Sequence, residues 1–104
     1  MAADVTVVRI YLSEADHGRH KNLMREILNI LHDQHRVKGV TVFRAIAGFS
    51  DTGEVHASDI LRLMVDLPLV VEFFDEEAVV QAVLGLLKGL VPEGRIISWQ
   101  ATCR

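Results

Sequence analysis

The chain carries a single cysteine, Cys103. An intramolecular disulfide is excluded, and so is a zinc site built from several thiolates. A basic excess is also missing. Lys and Arg number 11 against 14 Asp and Glu, for a formal net charge of −3. A nucleic-acid-binding role, which rests on a basic patch, is not expected. Met1 to Val8 lacks the basic start and apolar core of a signal peptide. The most apolar stretch, Leu61 to Phe74, is interrupted by Arg62, Asp66, Pro68 and Glu72, so it does not read as a membrane span. The expected location is cytoplasmic, with no direct membrane insertion. Catalytic signatures are missing too. There is no Gly-x-Ser-x-Gly, no complete phosphate-binding loop and no cysteine with a plausible catalytic partner. Glu14 and Asp16 lie close together, but two acids in one turn usually face solvent. No catalytic residue is assigned, and an enzyme is not the expectation.

What is present is a patterned, apolar chain. Its 104 residues suit one domain, 1–104. Half are hydrophobic and 24% are charged, a globular composition. So short a chain has a limited interior. The apolar excess therefore predicts surface buried against other subunits.

Thr6 to Leu12 reads as a strand, with Val5, Val7, Arg9 and Tyr11 on one face and Thr6, Val8, Ile10 and Leu12 on the other. Lys21 to about His35 reads as a helix with a stripe of Leu23, Ile27, Ile30 and Leu31, widened by Met24 and Leu28. Val40 to Ala47 is a second strand, and Gly48 to Ser58 a polar loop. In the run from Leu61, the residues Leu61, Leu63, Val65, Leu67, Leu69, Val71 and Phe73 alternate without exception. Pro68 lacks an N–H, which predicts a bulge or an edge there. Asp75 is the expected N-cap of a second helix, with Glu76 and Glu77 favoured by its dipole. The predicted stripe of that helix is Val79, Ala82, Val83, Leu86, Leu87 and Leu90, with Gly89 closing it. Pro92-Glu93-Gly94 is a turn before a last strand, Arg95 to Thr102.

The order β-α-β-β-α-β predicts an α+β, ferredoxin-like fold: a four-stranded antiparallel sheet with two helices on one face. The other face mixes Val5, Val7, Tyr11, Met64, Val70 and Phe74 with Arg9, Arg62, Asp66 and Glu72. A monomer would expose that patch. Packing of sheets around a symmetry axis would cover it.

Three segments carry a resemblance: Thr41 to Phe49, Val55-His56-Ala57-Ser58, and Asp66 to Asp75, together with Lys21 and Leu23. From about Ile10 onward the chain resembles the PII-like family catalogued as domain of unknown function 190. The resemblance implies a fold shared with PII signalling proteins and CutA. Those proteins are trimers whose sheets form the inner wall, and PII proteins bind adenine nucleotides between subunits. Their ligand groups come from the base of the loop between strands two and three and from the loop before the last strand. Here those places are Gly48-Phe49 and Pro92 to Arg95. The family usually has a second glycine after Gly48-Phe49, where this chain has Ser50. The loop from Ser50 to Ser58 is shorter than the PII signalling loop and has no tyrosine, so tyrosine uridylylation is not available.

The ligand-binding candidates are Arg44, Gly48, Phe49, His56, Ser58, Gly94 and Arg95. A glycine turn frees N–H groups for phosphate oxygens, and an adjacent arginine can pair with them at Gly94-Arg95. The plainer alternative is an ordinary turn with a solvated arginine. Gly48 permits close approach and Phe49 could stack on a base, or the ring could simply pack beneath the loop. Arg44 shares parity with Val40, Val42 and Ile46. It is either a snorkelling side chain or a charge facing a cleft or interface. His56 and Ser58 follow from the resemblance. His32 and His35, and His17 and His20, have i, i+3 spacing, but no third metal ligand is fixed and solvated helix ends are the simpler reading. No metal site is assigned and no firm cofactor is implied.

The resemblance thus implies a regulatory homotrimer that binds a small ligand, an adenine nucleotide being the first candidate. It would signal through the 48–58 loop to an unknown regulated protein, with a membrane transporter as one candidate. A CutA-like metal-responsive trimer and a small ferredoxin-like enzyme are the alternatives.

Overall fold

Alternation builds the sheet. The computed structural model describes residues 3–13, 19–34, 37–46 and 68–104. Strand β1 is Ala3–Ser13, β2 Gly39–Arg44, β3 Pro68–Asp75 and β4 Ile96–Cys103. Helix α1 is Arg19–Asn29, continued by a π-helical turn over Ile30–Gln34, and α2 is Glu77–Leu87. The strands form one antiparallel sheet in the order β2-β3-β1-β4. This is the expected ferredoxin-like architecture. Among the described residues no helix is long and apolar enough to cross a membrane.

Register decides the faces. β1 runs against β3 from Thr6↔Asp75 to Ser13↔Pro68, and against β4 from Ala3↔Cys103 to Ile10↔Ile96. β2 runs against β3 from Gly39↔Phe74 to Arg44↔Leu69. Val8, Ile10, Leu12, Val71 and Phe73 therefore share the helix-covered face. They are buried with Ile27, Ile30 and Leu31 of the first helical segment and Val80, Val83 and Leu87 of α2. Each such aliphatic or aromatic side chain contributes about 1.5–3 kcal/mol of transfer free energy, so this layer dominates stability. Arg25, Glu26, Asn29 and Asp33 stay exposed, as their spacing predicts.

Several expectations need correction. Asp75 is not a helix N-cap but the last residue of β3. Its buried carboxylate accepts the Glu76 N–H at 2.6 Å and the Lys38 N–H at 3.2 Å, so it ties two chain connections at one sheet end. Glu76 is the N-cap, without a side-chain cap. Gly89 does not close α2 by a left-handed residue. The helix ends at Leu87 with a right-handed Lys88 as its C-cap, and the Leu87 carbonyl then accepts both the Leu90 and Val91 N–H groups. The positive φ falls instead at Gly94, at 83°. Pro68 produces no bulge, and it has no β2 partner, because that ladder ends at Arg44↔Leu69. The ladder to β1 is regular up to Ser13↔Pro68, and the rest of β3 lies between β1 and β2. Pro68 stands at the end of the β1–β3 ladder, where its missing N–H disturbs least.

The buried stripe of α2 is also displaced from expectation. Val80, Val83 and Leu87 are buried, while Ala82, Leu86 and Leu90 face outward. The helix is apolar nearly all round, so period alone cannot choose its inner face. The first helical segment starts two residues before Lys21. β2 stops at Arg44 rather than Ala47, leaving Ile46 88% exposed. The expected loop 48–58 and the run 61–67 lie outside the described residues.

Candidate ligand-binding site

The ends of the strands gather the candidates. Arg44 pairs with Leu69, Leu69 pairs with Leu12, and the Tyr11 N–H donates to the Arg95 carbonyl at 2.8 Å. Arg44 and the Gly94-Arg95 turn therefore stand at the same end of the sheet, on its two opposite edge strands. Three strand spacings separate those edges, roughly 14 Å. Arg44 has the parity of Val40 and Val42, which places it on the helix-side face, and it is exposed. Gly48, Phe49, His56 and Ser58 lie outside the described residues.

The 92–95 turn is anchored from both sides. Val91 is buried in the core and bonded to the end of α2, and the Arg95 N–H reaches the Pro92 carbonyl at 3.4 Å. Gly94 at φ 83° turns the chain into β4 with open space where a Cβ would stand. Between this turn and α2 lies a cavity of about 420 Å³, lined by Leu84, Gly85, Lys88, Val91, Gly94 and Ile96 among others. A second groove, about 710 Å³, lies between the π-helical turn and β2, lined by Leu31, His32, Val37, Lys38, Val40 and Val42 among others. His32 Nδ1 lies 2.8 Å from Asp33 Oδ1, and Lys38 Nζ lies 3.7 Å from Glu76 Oε1. Among the described residues no three His, Cys, Asp or Glu side chains gather to hold a metal. His17 and His35 lie outside them.

Two polar clusters were not anticipated from sequence. On the open face, the Arg9 Nε donates to Glu72 Oε1 at 2.7 Å. Its guanidinium carbon lies 5.9 Å from the Phe43 ring centre and 5.4 Å from that of Trp99. The Glu72 hydrogen bond, then that of Tyr11, holds the Arg9 pKa above its ordinary value. The signal was partly visible, because Arg9 and Glu72 each interrupt an apolar row, but only the register makes them neighbours. On the helix-side face, the buried Thr6 hydroxyl donates to Glu77 Oε2. Gln100 Nε2 donates to Thr6 Oγ1 at 3.0 Å and to Glu77 Oε2 at 3.2 Å, and Gln81 Nε2 donates to Glu77 Oε1 at 2.8 Å. These hydrogen bonds, Thr6 first, then Gln81 and Gln100, hold the Glu77 carboxyl below its ordinary 4.5.

Chemically, the sheet end offers two arginines on opposite edges and a glycine turn beside an apolar cavity. That suits a ligand with a ring and an anionic group. Among the described residues there it places no nucleophile with a base beside it.

Residues 5–103 match the model of the DUF190 family, described as Uncharacterized ACR. A UPF0166 protein of Aquifex aeolicus is 35% identical over 83 residues, covering 80% of this chain and 78% of that protein. A UPF0166 protein of Methanocaldococcus jannaschii is 32% identical over 91 residues, covering 88% and 82%. Among solved structures, CPII from Thiomonas intermedia K12, bound to ADP and bicarbonate, superposes with a TM-score of 0.60 at 17% identity, covering 99% of this chain and 89% of that one. A putative PII-like signaling protein from Thermus thermophilus gives 0.52 at 17% identity, covering 98% and 89%. LarC2, the C-terminal domain of a cyclometallase, gives 0.54 at 8% identity, covering all of this chain and 58% of that one. The same fold therefore occurs in a PII-like protein and in a domain of a cyclometallase, and function has to be argued from the site.

Proposed function

The chain belongs to the DUF190 family, and from that premise we propose that it is a PII-like regulatory protein rather than an enzyme, binding an adenine nucleotide between the subunits of a cytoplasmic homotrimer. The placement of Arg44 and Gly94-Arg95 carries the reading: one sheet end, opposite edges. Set on opposite edge strands, they suit a cleft shared by two copies, each contributing one of them.

The edges themselves support this. β2 and β4 run in opposite directions. Gly39 to Phe43 carries no charge, and neither does β4. Exposed edges of monomeric sheets are usually guarded by lysine, proline or a bulge. A neighbouring copy's β2 set beside β4 continues the antiparallel order and brings the neighbouring copy's Arg44 toward Gly94-Arg95. Three copies joined this way turn their open faces inward, which covers Phe43, Ile97 and Trp99, each 39–47% exposed in one chain. That CPII is bound to ADP supports the choice of ligand.

In this reading Gly48 and Phe49 complete the cleft, and His56 and Ser58 belong to the 48–58 loop that engages the regulated protein. A loop that orders on binding is a common switch. Titration calorimetry with ATP, ADP, AMP and cyclic nucleotides tests the reading. Saturable heat from at least one is the expected result, and none from any of them removes the nucleotide. Light scattering tests the assembly, and a stable monomer at micromolar concentration removes it.

A further inference from the structure

Helix α2 turns an apolar side to solvent. Val80, Val83 and Leu87 point into the core, while Ala78, Ala82, Gly85 and Leu86 are exposed. From Ala78 to Leu87 the helix carries no charge. The outer side of a solvated helix normally carries charged and polar residues. Gly85 adds to the departure, because glycine is the least favourable helix residue short of proline. Its backbone takes no positive φ, and an added Cβ would meet no atom within 4 Å. A bare position on an outer face lets the axis of another helix come close.

Charge stands only at the two ends of this face. Glu77 opens the helix, and Lys88 is its C-cap residue. Eleven helical steps bring Lys88 to within about 20° of Glu77 around the axis and about 16 Å along it. Both charges therefore lie on one flank. Gln81 and Gln100 donate to the Glu77 carboxylate and hold it there. A second α2 laid antiparallel on this face, about a two-fold axis level with the point between Ala82 and Val83, sets each Glu77 beside the second copy's Lys88. The same axis crosses Ala82 on Ala82 and sets Leu86 level with the second copy's Val79. A parallel pair would set glutamate on glutamate. The face is complementary to itself in charge, and in one direction only.

We propose that the outer face of α2 is a contact between copies of this chain, with the two helices antiparallel and Glu77 and Lys88 paired across it at both ends. It uses neither β2 nor β4, so it adds to the sheet-edge assembly and does not depend on it. In the trimer proposed above the helices face outward, and this contact joins trimer to trimer. Between chains that form no trimer it gives a dimer. Two helices of three turns make a small interface, so the association is expected to be weak, in the micromolar to millimolar range.

Sedimentation of the wild type, Ala82→Arg, Lys88→Glu and Glu77→Lys across that range tests the proposal. The wild type is expected to gain mass with concentration. Ala82→Arg abolishes the gain, because a long side chain stands where the helices cross. Circular dichroism should find this variant folded, since Ala82 is exposed. Lys88→Glu and Glu77→Lys each weaken self-association about tenfold or more, like charges then facing each other. Mixed together, these two variants associate with one another, because every pair across the contact is again opposite. A wild type of constant mass up to millimolar concentration overturns the proposal, and so does equal association by wild type, Ala82→Arg and Lys88→Glu. Binding of neutral phosphatidylcholine vesicles by a wild type that does not self-associate also overturns it, and gives the face a lipid occupant. The trimer fails separately, if Ala82→Arg sediments as a single copy.

Discussion

Arg9 and Glu72 meet at 2.7 Å across β1 and β3, in the middle of the sheet face that the helices leave open. The Phe43 and Trp99 rings close on the guanidinium. Removing one charge strands the other on an apolar surface. Arg9→Met and Glu72→Gln are each expected to lower the thermal midpoint. The Arg9→Met/Glu72→Gln double variant should fall closer to wild type than the sum of the two losses. Additive losses would mean that the pair is not coupled.

Trp99 is the only tryptophan, and it lies on that open face with 39% of its surface exposed. If the face is covered by other copies, its emission shifts to longer wavelength as the protein is diluted through the dissociation range. Emission independent of concentration, with constant scattering mass, would place the ring outside any interface.

Acid should act through Glu77. Its folded pKa lies below 4.5, so the unfolded chain binds the proton more readily in that range. Its stabilising contribution is present above about pH 4.5 and is lost as pH falls through the folded value. Thr6→Val and Gln100→Leu remove its first and third hydrogen-bond donors. Urea melts between pH 3 and 6 should show a shallower acid loss in both variants than in wild type.

Gly39 lies beneath the Phe74 ring, and an added Cβ would come within 2.8 Å of Phe74 Cζ. Gly39→Ala should cost about 1–2 kcal/mol, an overpacking penalty limited by the freedom of the ring to move. A Phe74→Leu background should absorb much of it. Denaturant melts of the single and double variants measure both effects.

Phe73 is fully buried between the sheet and both helical segments. Phe73→Ala should cost about 3–5 kcal/mol, and Phe73→Leu much less. A domain of this size has about 5–15 kcal/mol in all, so circular dichroism should find the alanine variant close to unfolding at 37 °C.

The sheet was legible because alternation is a property of the sequence itself. Val8, Ile10, Leu12, Val71 and Phe73 announce one buried face, and that face is the one observed. The inner face of α2 was not legible. Val79, Val80, Val83, Leu84, Leu86 and Leu87 surround the helix, and only packing chooses among them. Asp75 was misread for a different reason. An aspartate before two glutamates carries the local signature of a cap, yet its carboxylate also serves the Lys38 N–H, 37 residues away. The Gly94-Arg95 turn could be picked out from composition and resemblance.

β1 lies between β3 and β4, and its register with β4 joins Ala3 to Cys103. On the ribosome the first strand is made long before its last neighbour. It must wait with one ladder edge bare until residue 103 clears the exit tunnel. Pairings so distant in sequence make folding slow relative to helical proteins of the same size. During synthesis, at about 5–20 residues per second, that unpaired edge lasts for seconds. The early life of the chain, rather than its folded state, is when strand-to-strand mispairing between nascent copies threatens it most.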